Sequence, residues 1–126
     1  MNNLGQIVGW TFGSITSGFY YNRGKFGTIS VPGSSDITEA WGVNDAGVVV
    51  GWYFGCTPSC SYHGFALRKG KYLAFDYPGA MDTFASGINS LGQIVGSYFE
   101  NQSYHGFVTS PITAADFRSP DRADHH

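Results

Sequence analysis

The chain has 126 residues, enough for one domain that buries roughly two-thirds of its unfolded surface. Its 13% charged residues, 17% aromatic residues and 18 glycines suit short strands and tight turns, and weigh against helices and disorder. A net charge of −2, with Lys and Arg scattered apart from Arg68, Lys69 and Lys71, offers nucleic acid no basic face, and no apolar run approaches the roughly 20 residues of a membrane-spanning helix.

The first element is a motif that recurs. Asn2-Asn3-Leu4-Gly5-Gln6-Ile7-Val8-Gly9 returns as Asn44-Asp45-Ala46-Gly47-Val48-Val49-Val50-Gly51, then as Asn89-Ser90-Leu91-Gly92-Gln93-Ile94-Val95-Gly96. Spacings of 42 and 45 residues mark a repeat architecture, with repeats at about 1–42, 43–87 and 88–118 and a polar tail at 119–126. Asn-x-x-Gly fits a type I turn.

In the first repeat, alternation predicts a strand over 5–12, with Val8 and Trp10 on one face and Ile7 and Gly9 on the other. A polar loop follows, then a second strand from Gly18-Phe19, a turn at Asn22-Arg23-Gly24, a third strand over 25–31, a break at Pro32-Gly33 and a fourth segment over 37–43. The second repeat gives strands at 47–54, from Tyr62, at 71–77 and at 83–88, with a turn at Arg68-Lys69-Gly70 and a break at Pro78-Gly79. The third gives 92–99, a strand from Tyr104 and a third over 112–117, with no fourth. The chain thus begins and ends inside the repeat, as a ring opened at one seam would. A glycine inside each first strand (Gly9, Gly51, Gly96) implies close backbone approach, read as equivalent strands converging on a crowded centre.

Four short strands joined by hairpins make an all-β unit, either a propeller blade or one lobe of a β-trefoil. Three blades do not close a ring alone, so the propeller reading calls for a homodimer of six blades; a trefoil would close within one chain.

Gly-(Ile/Val)-Asn, the strand glycine, His-Gly-Phe, Asp-x-Pro-Gly-Ala, Thr and the next Gly-Ile-Asn together resemble the HAF repeat of bacterial proteins often labelled extracellular. The second repeat carries it through Gly42-Val43-Asn44, Gly51, His63-Gly64-Phe65, Asp76-Tyr77-Pro78-Gly79-Ala80 and Thr83, and the third through Gly87-Ile88-Asn89, Gly96 and His105-Gly106-Phe107. The first departs from it, with Ser17 in place of the histidine. The resemblance implies propeller-like blades and an extracellular or periplasmic setting, and assigns no activity to particular residues. No signal peptide precedes the first motif, so compartment stays open.

Trp10, Trp52, Tyr53 and Tyr98, near the ends of first strands, are the candidate ligand-binding residues, since rings there would stack on sugars or other flat ligands. Core packing is the alternative, and Trp41 is read as packing. His63 and His105 occupy equivalent positions and, with Asp82 or its counterpart Asp36, are the candidates for catalysis; ordering of strand and turn is the competing role. Cys56 and Cys60 flank a hairpin loop and are read as a disulfide in preference to free thiols or, with His63, a metal site. No metal or cofactor is expected. The reading is of a non-catalytic binding module for carbohydrate or a cell-surface partner, with a lactone, ester or glycoside hydrolase as the alternative.

Overall fold

The computed structural model describes residues 5–11, 15–32, 34–56 and 60–112, and within them the chain is all-β. Ten strands follow in order: β1 (Ile7–Thr11), β2 (Ser17–Asn22), β3 (Lys25–Ile29), β4 (Ser34–Val43), β5 (Val49–Gly55), β6 (Ser61–Arg68), β7 (Lys71–Phe75), β8 (Asp82–Ile88), β9 (Ile94–Glu100) and β10 (Ser103–Val108). They form three antiparallel sheets, β1-β2-β3, β4-β5-β6-β7 and β8-β9-β10. The expected third strand over 112–117 and the polar tail fall almost wholly outside the described residues; Ile112, which is described, is not in a strand.

The hairpins explain themselves locally. Arg23-Gly24, Lys69-Gly70 and Asn101-Gln102 are two-residue loops with positive φ at both positions, the backbone that matches strand twist. Asn44 and Asn89 start the Asn-x-x-Gly turns: the Gly47 and Gly92 amides donate to their carbonyls. The Asn44 side-chain oxygen also accepts from the Val48 amide, and that of Asn89 from Leu91 and Gln93.

Because those turns join strands that pair with each other, each sheet begins after Pro-Gly rather than at Asn-x-x-Gly. The four-stranded sheet is therefore the fourth segment of the first repeat followed by three strands of the second. Two buried threonines at equivalent places pin the crossings between sheets. Thr38 accepts from the Val31 amide at 3.3 Å, and Thr83 accepts from the Tyr77 amide at 2.9 Å.

The middle sheet is covered on both faces. Val49, Tyr53 and Phe65 pack with Ile29, Val31 and Val43 toward the first sheet, while Val50, Ala66, Leu73 and Phe75 pack with Ala85 and Ile94 toward the third. Fully burying a Val, Leu, Ile or Phe side chain contributes about 1.5–3 kcal/mol. Across the two sheets the Asn44 side-chain amide donates to the Asn89 carbonyl at 3.1 Å.

The strand glycines have a different cause from the one the sequence suggests. A Cβ on Gly51 would lie 1.9 Å from the Glu39 carbonyl oxygen, and one on Gly96 would lie 2.0 Å from that of Phe84. The intruding backbone belongs to the adjacent strand of the same sheet. It is pushed inward by register shifts between Ala40 and Gly42 and between Ala85 and Gly87, which are β-bulges. Equivalent strands do converge, but at the bulge glycines: a Cβ on Gly42 would meet the Gly87 Cα at 3.2 Å. Among the described residues, Gly9 faces only the Phe19 ring, whose Cε2 would lie 2.9 Å from an added Cβ.

These contacts separate the three positions energetically. In urea denaturation, Gly51→Ala and Gly96→Ala should each lose at least about 3 kcal/mol, because rigid backbone must move. Gly9→Ala should cost less than about 1 kcal/mol, since the far end of a Phe ring can swing aside. Equal losses at all three positions would contradict the bulge explanation.

Candidate functional site

The bulge in β4 also creates the most distinctive surface of the molecule. Ala40 pairs with Gly51 and Gly42 with Val50, so Trp41 is the extra residue. The bulge turns Trp41 outward to 47% exposure while Ala40 and Val43 stay buried. Its ring lies between Trp10 of β1, at 6.4 Å, and Trp52 of β5, at 6.5 Å and nearly parallel. Trp52 meets Phe84 and Tyr62 edge-on at 5.1 and 5.2 Å. Phe84 then approaches Tyr104, at 6.3 Å.

The result is an aromatic strip with contributions from all three sheets. Trp10, Trp41 and Tyr104 present exposed rings, and Trp52 and Phe84 between them are half-buried. Beneath it, the Trp41 indole N–H donates to a Glu39 carboxylate oxygen at 3.1 Å, which fixes the ring's orientation. Burial raises the Glu39 carboxyl above its ordinary value, and the hydrogen bond from Trp41 offsets part of that rise.

The sequence candidates fall in separate places. Trp10 and Trp52 lie in the strip. Tyr53 is a core residue, 7% exposed and tilted against His63 and Phe65, with its hydroxyl pushed up by burial and then by the nearby Asp76 charge. Tyr98 stands in a second cluster, stacked face to face on Tyr77 at 3.8 Å and against His105 at 5.1 Å. A hydrogen bond with Tyr77, ahead of burial, raises its hydroxyl. Trp41, which the sequence assigns to packing, is instead the centre of the strip.

His63 and His105 differ sharply despite their equivalence. His63 is 3% exposed; its Nδ1 lies 2.6 Å from Asp76 Oδ1, and its Nε2 is 3.2 Å from the Gly55 carbonyl oxygen and 3.4 Å from Ser61 Oγ. That geometry ties the ends of β5, β6 and β7 together. His105 is exposed, with Nε2 3.2 Å from Ser103 Oγ. Asp82 accepts the Tyr62 amide at 2.9 Å and so links the third sheet to β6; the side chain of Asp36 is outside the described residues. Cys56 and Cys60 are joined in a disulfide, leaving neither thiolate for a metal. Among the described residues, no three His, Cys, Asp or Glu side chains cluster to hold one. No helix among those residues is long and apolar enough to cross a membrane.

A cleft of about 400 Å³ opens between the first two sheets, lined by Val8, Tyr20, Tyr21, Val43, Val49 and Tyr72 among others. Its walls come from two repeats, so no local motif announces it. Searches of family models, curated proteins and solved structures find no match to this chain.

Glu39 provides a check with a definite sign. A carboxyl whose value is raised by folding binds more protons in the folded state, so its charge costs stability as pH rises above the ordinary carboxylate range. Glu39→Gln keeps an acceptor for Trp41 and removes the charge. The variant should melt above the parent at pH 7, with the gap closing as pH falls through the ordinary range near 4.5. A pH-independent gap would assign the effect to packing.

Proposed function

We propose that the chain is a non-catalytic binding module whose aromatic strip stacks on flat, partly apolar ligand faces, with carbohydrate the best-suited class. The observation that carries this reading is Trp41: a bulge turns a large apolar ring into solvent, and a buried carboxylate holds it there. An exposed, oriented indole flanked by two more is the usual chemistry of stacking on sugar rings, which offer C–H faces and few charges.

The hydrolase alternative draws less from the geometry. The short His–carboxylate contact, His63 to Asp76, leaves the imidazole 3% exposed, with its ring nitrogens already engaged by Asp76 and the Gly55 carbonyl. The accessible histidine, His105, has Ser103 as its hydrogen-bond partner among the described residues, not a carboxylate.

The three sheets support a sector of a propeller over a trefoil, because they are separate antiparallel meanders packed in succession, and they fit the HAF-repeat resemblance. Such a sector leaves its two outer sheets uncovered. Phe26 on the first is 73% exposed and Val108 on the third 64%, which suits closure by a second copy into six blades.

Two measurements test these readings. Titration of β-linked glucose and N-acetylglucosamine oligomers should quench tryptophan fluorescence, and Trp41→Ala should weaken binding at least about tenfold without unfolding the chain. If no oligomer binds, or Trp41→Ala binds as well as the parent, the strip is not the site. Light scattering across a dilution series should give twice the 13.6 kDa chain mass; a compact monomer at all concentrations would rule out the six-bladed dimer.

A further inference from the structure

All the Lys and Arg side chains among the described residues sit on two hairpins: Arg23 and Lys25 between β2 and β3, and Arg68, Lys69 and Lys71 between β6 and β7. The hairpins hold the same place in successive sheets, with Asn22 paired to Lys25 in one and Arg68 to Lys71 in the other. Far apart in sequence, they meet at the cleft between the first two sheets, which takes Asn22 from one and Lys69 and Gly70 from the other. Among the described residues none of these cations is ion-paired. At the same end of the sheets, the turn from β4 to β5 carries a single carboxylate, Asp45.

The first sheet departs from the second at one cross-strand pair beside this cleft. In the second sheet the pair is Ala66 and Leu73, both buried in the packing against the third sheet. Its counterpart in the first sheet is Tyr20 and Gly27. A Cβ on Gly27 would collide with the Tyr20 ring, so the glycine lets that ring lie across the neighbouring strand, 44% exposed. A packed leucine is thus exchanged for a phenol wall beside open space. The volume, about 400 Å³, falls within the roughly 300–1,000 Å³ of small-molecule sites. Val8 joins Tyr20 on this side, and Val49, Leu67 and Tyr72 line the cleft from the second sheet.

We infer that this cleft is a second binding site, and that its ligand is a small organic anion with a flat aromatic body, an aryl carboxylate. The ring of such a ligand lies among Val8, Tyr20, Val49 and Tyr72, where aliphatic and aromatic surfaces meet it. Its carboxylate lies at Lys69, and the remaining hairpin cations add to a field that the apolar walls focus into the cleft. The site is separate from the aromatic strip. On β1, Trp10 pairs with Gly18 whereas Ile7 pairs with Tyr21, so the strip and the cleft lie toward opposite ends of the strand. The two also ask for different ligands, since the strip suits uncharged sugar faces and the cleft a negative charge.

The probe is 2-naphthoate, titrated into the intact chain by calorimetry at low salt. Saturable one-to-one binding is expected, and the uncharged 2-naphthamide should bind at least about tenfold more weakly. Lys69→Asn removes the charge but keeps a residue that tolerates the positive φ of this hairpin, before Gly70. It should likewise weaken naphthoate binding at least about tenfold. Tyr20→Ala combined with Gly27→Leu installs the closed Ala66–Leu73 pair in the first sheet and should abolish binding. Trp41→Ala should bind naphthoate as the parent does, which separates this site from the strip. Absence of saturable binding by the parent overturns the inference, as does equal binding of the amide, a comparison that needs no variant to fold. Equal binding by Lys69→Asn also overturns it, and so does loss of binding in Trp41→Ala, which would place the probe on the strip.

Discussion

Main-chain contact at two glycines organises this molecule. Glu39–Ala40 over Gly51 and Phe84–Ala85 over Gly96 are approaches that no side chain would permit. Each requires a bulge in the incoming strand, and each bulge has consequences on both faces of its sheet. On the inner face it lets Ala40 and Ala85 reach 1% and 0% exposure, so that neighbouring sheets pack closely over them. On the outer face it ejects one residue from the ladder. In β4 that residue is Trp41, and the aromatic strip follows from its displacement.

The sheets are then kept in step by a few polar contacts that repeat with the sequence. Thr38 and Thr83 hold the crossings, and Asn44 reaches the carbonyl of Asn89 one repeat later. No buried side-chain nitrogen or oxygen among the described residues lacks a hydrogen-bond partner, so the packing carries no unpaired polar cost. A strip assembled from three sheets keeps its ring spacing only if those sheets do not slide, which links the threonine and asparagine contacts to the proposed binding role.

Much of the fold was legible in the sequence because its signals are local. Strand alternation, the Asn-x-x-Gly turns and the two-residue hairpins at Arg23-Gly24 and Lys69-Gly70 all depend on neighbouring residues, and the strands lie close to where those signals put them. The sheet boundary was not legible. A repeated motif looks like a unit's beginning, yet Asn44 turns between two strands of one sheet and the pairing breaks at Pro32 and Pro78 instead. The site was partly legible. Trp10 and Trp52 follow from alternation, but Trp41 sits where a bulge shifts the side-chain phase by one, and only pairing with Gly51 reveals it. Tyr53 and Tyr98 occupy the same repeat position as one another and end in different surroundings: Tyr53 packs with Ile29, Val31 and Phe65, whereas among the described residues Tyr98 meets Tyr77, His105 and Phe107. His63 and His105 diverge likewise, His63 held by Asp76 and the Gly55 carbonyl and His105 set beside Ser103.

Amide hydrogen exchange on the intact chain tests the organising contact most directly. Amides of β4 and β5 should exchange slowly in the parent, and markedly faster in Gly51→Ala than in Gly9→Ala. Equal protection of β4 and β5 in the two variants would contradict the contact at Gly51 as the organising one.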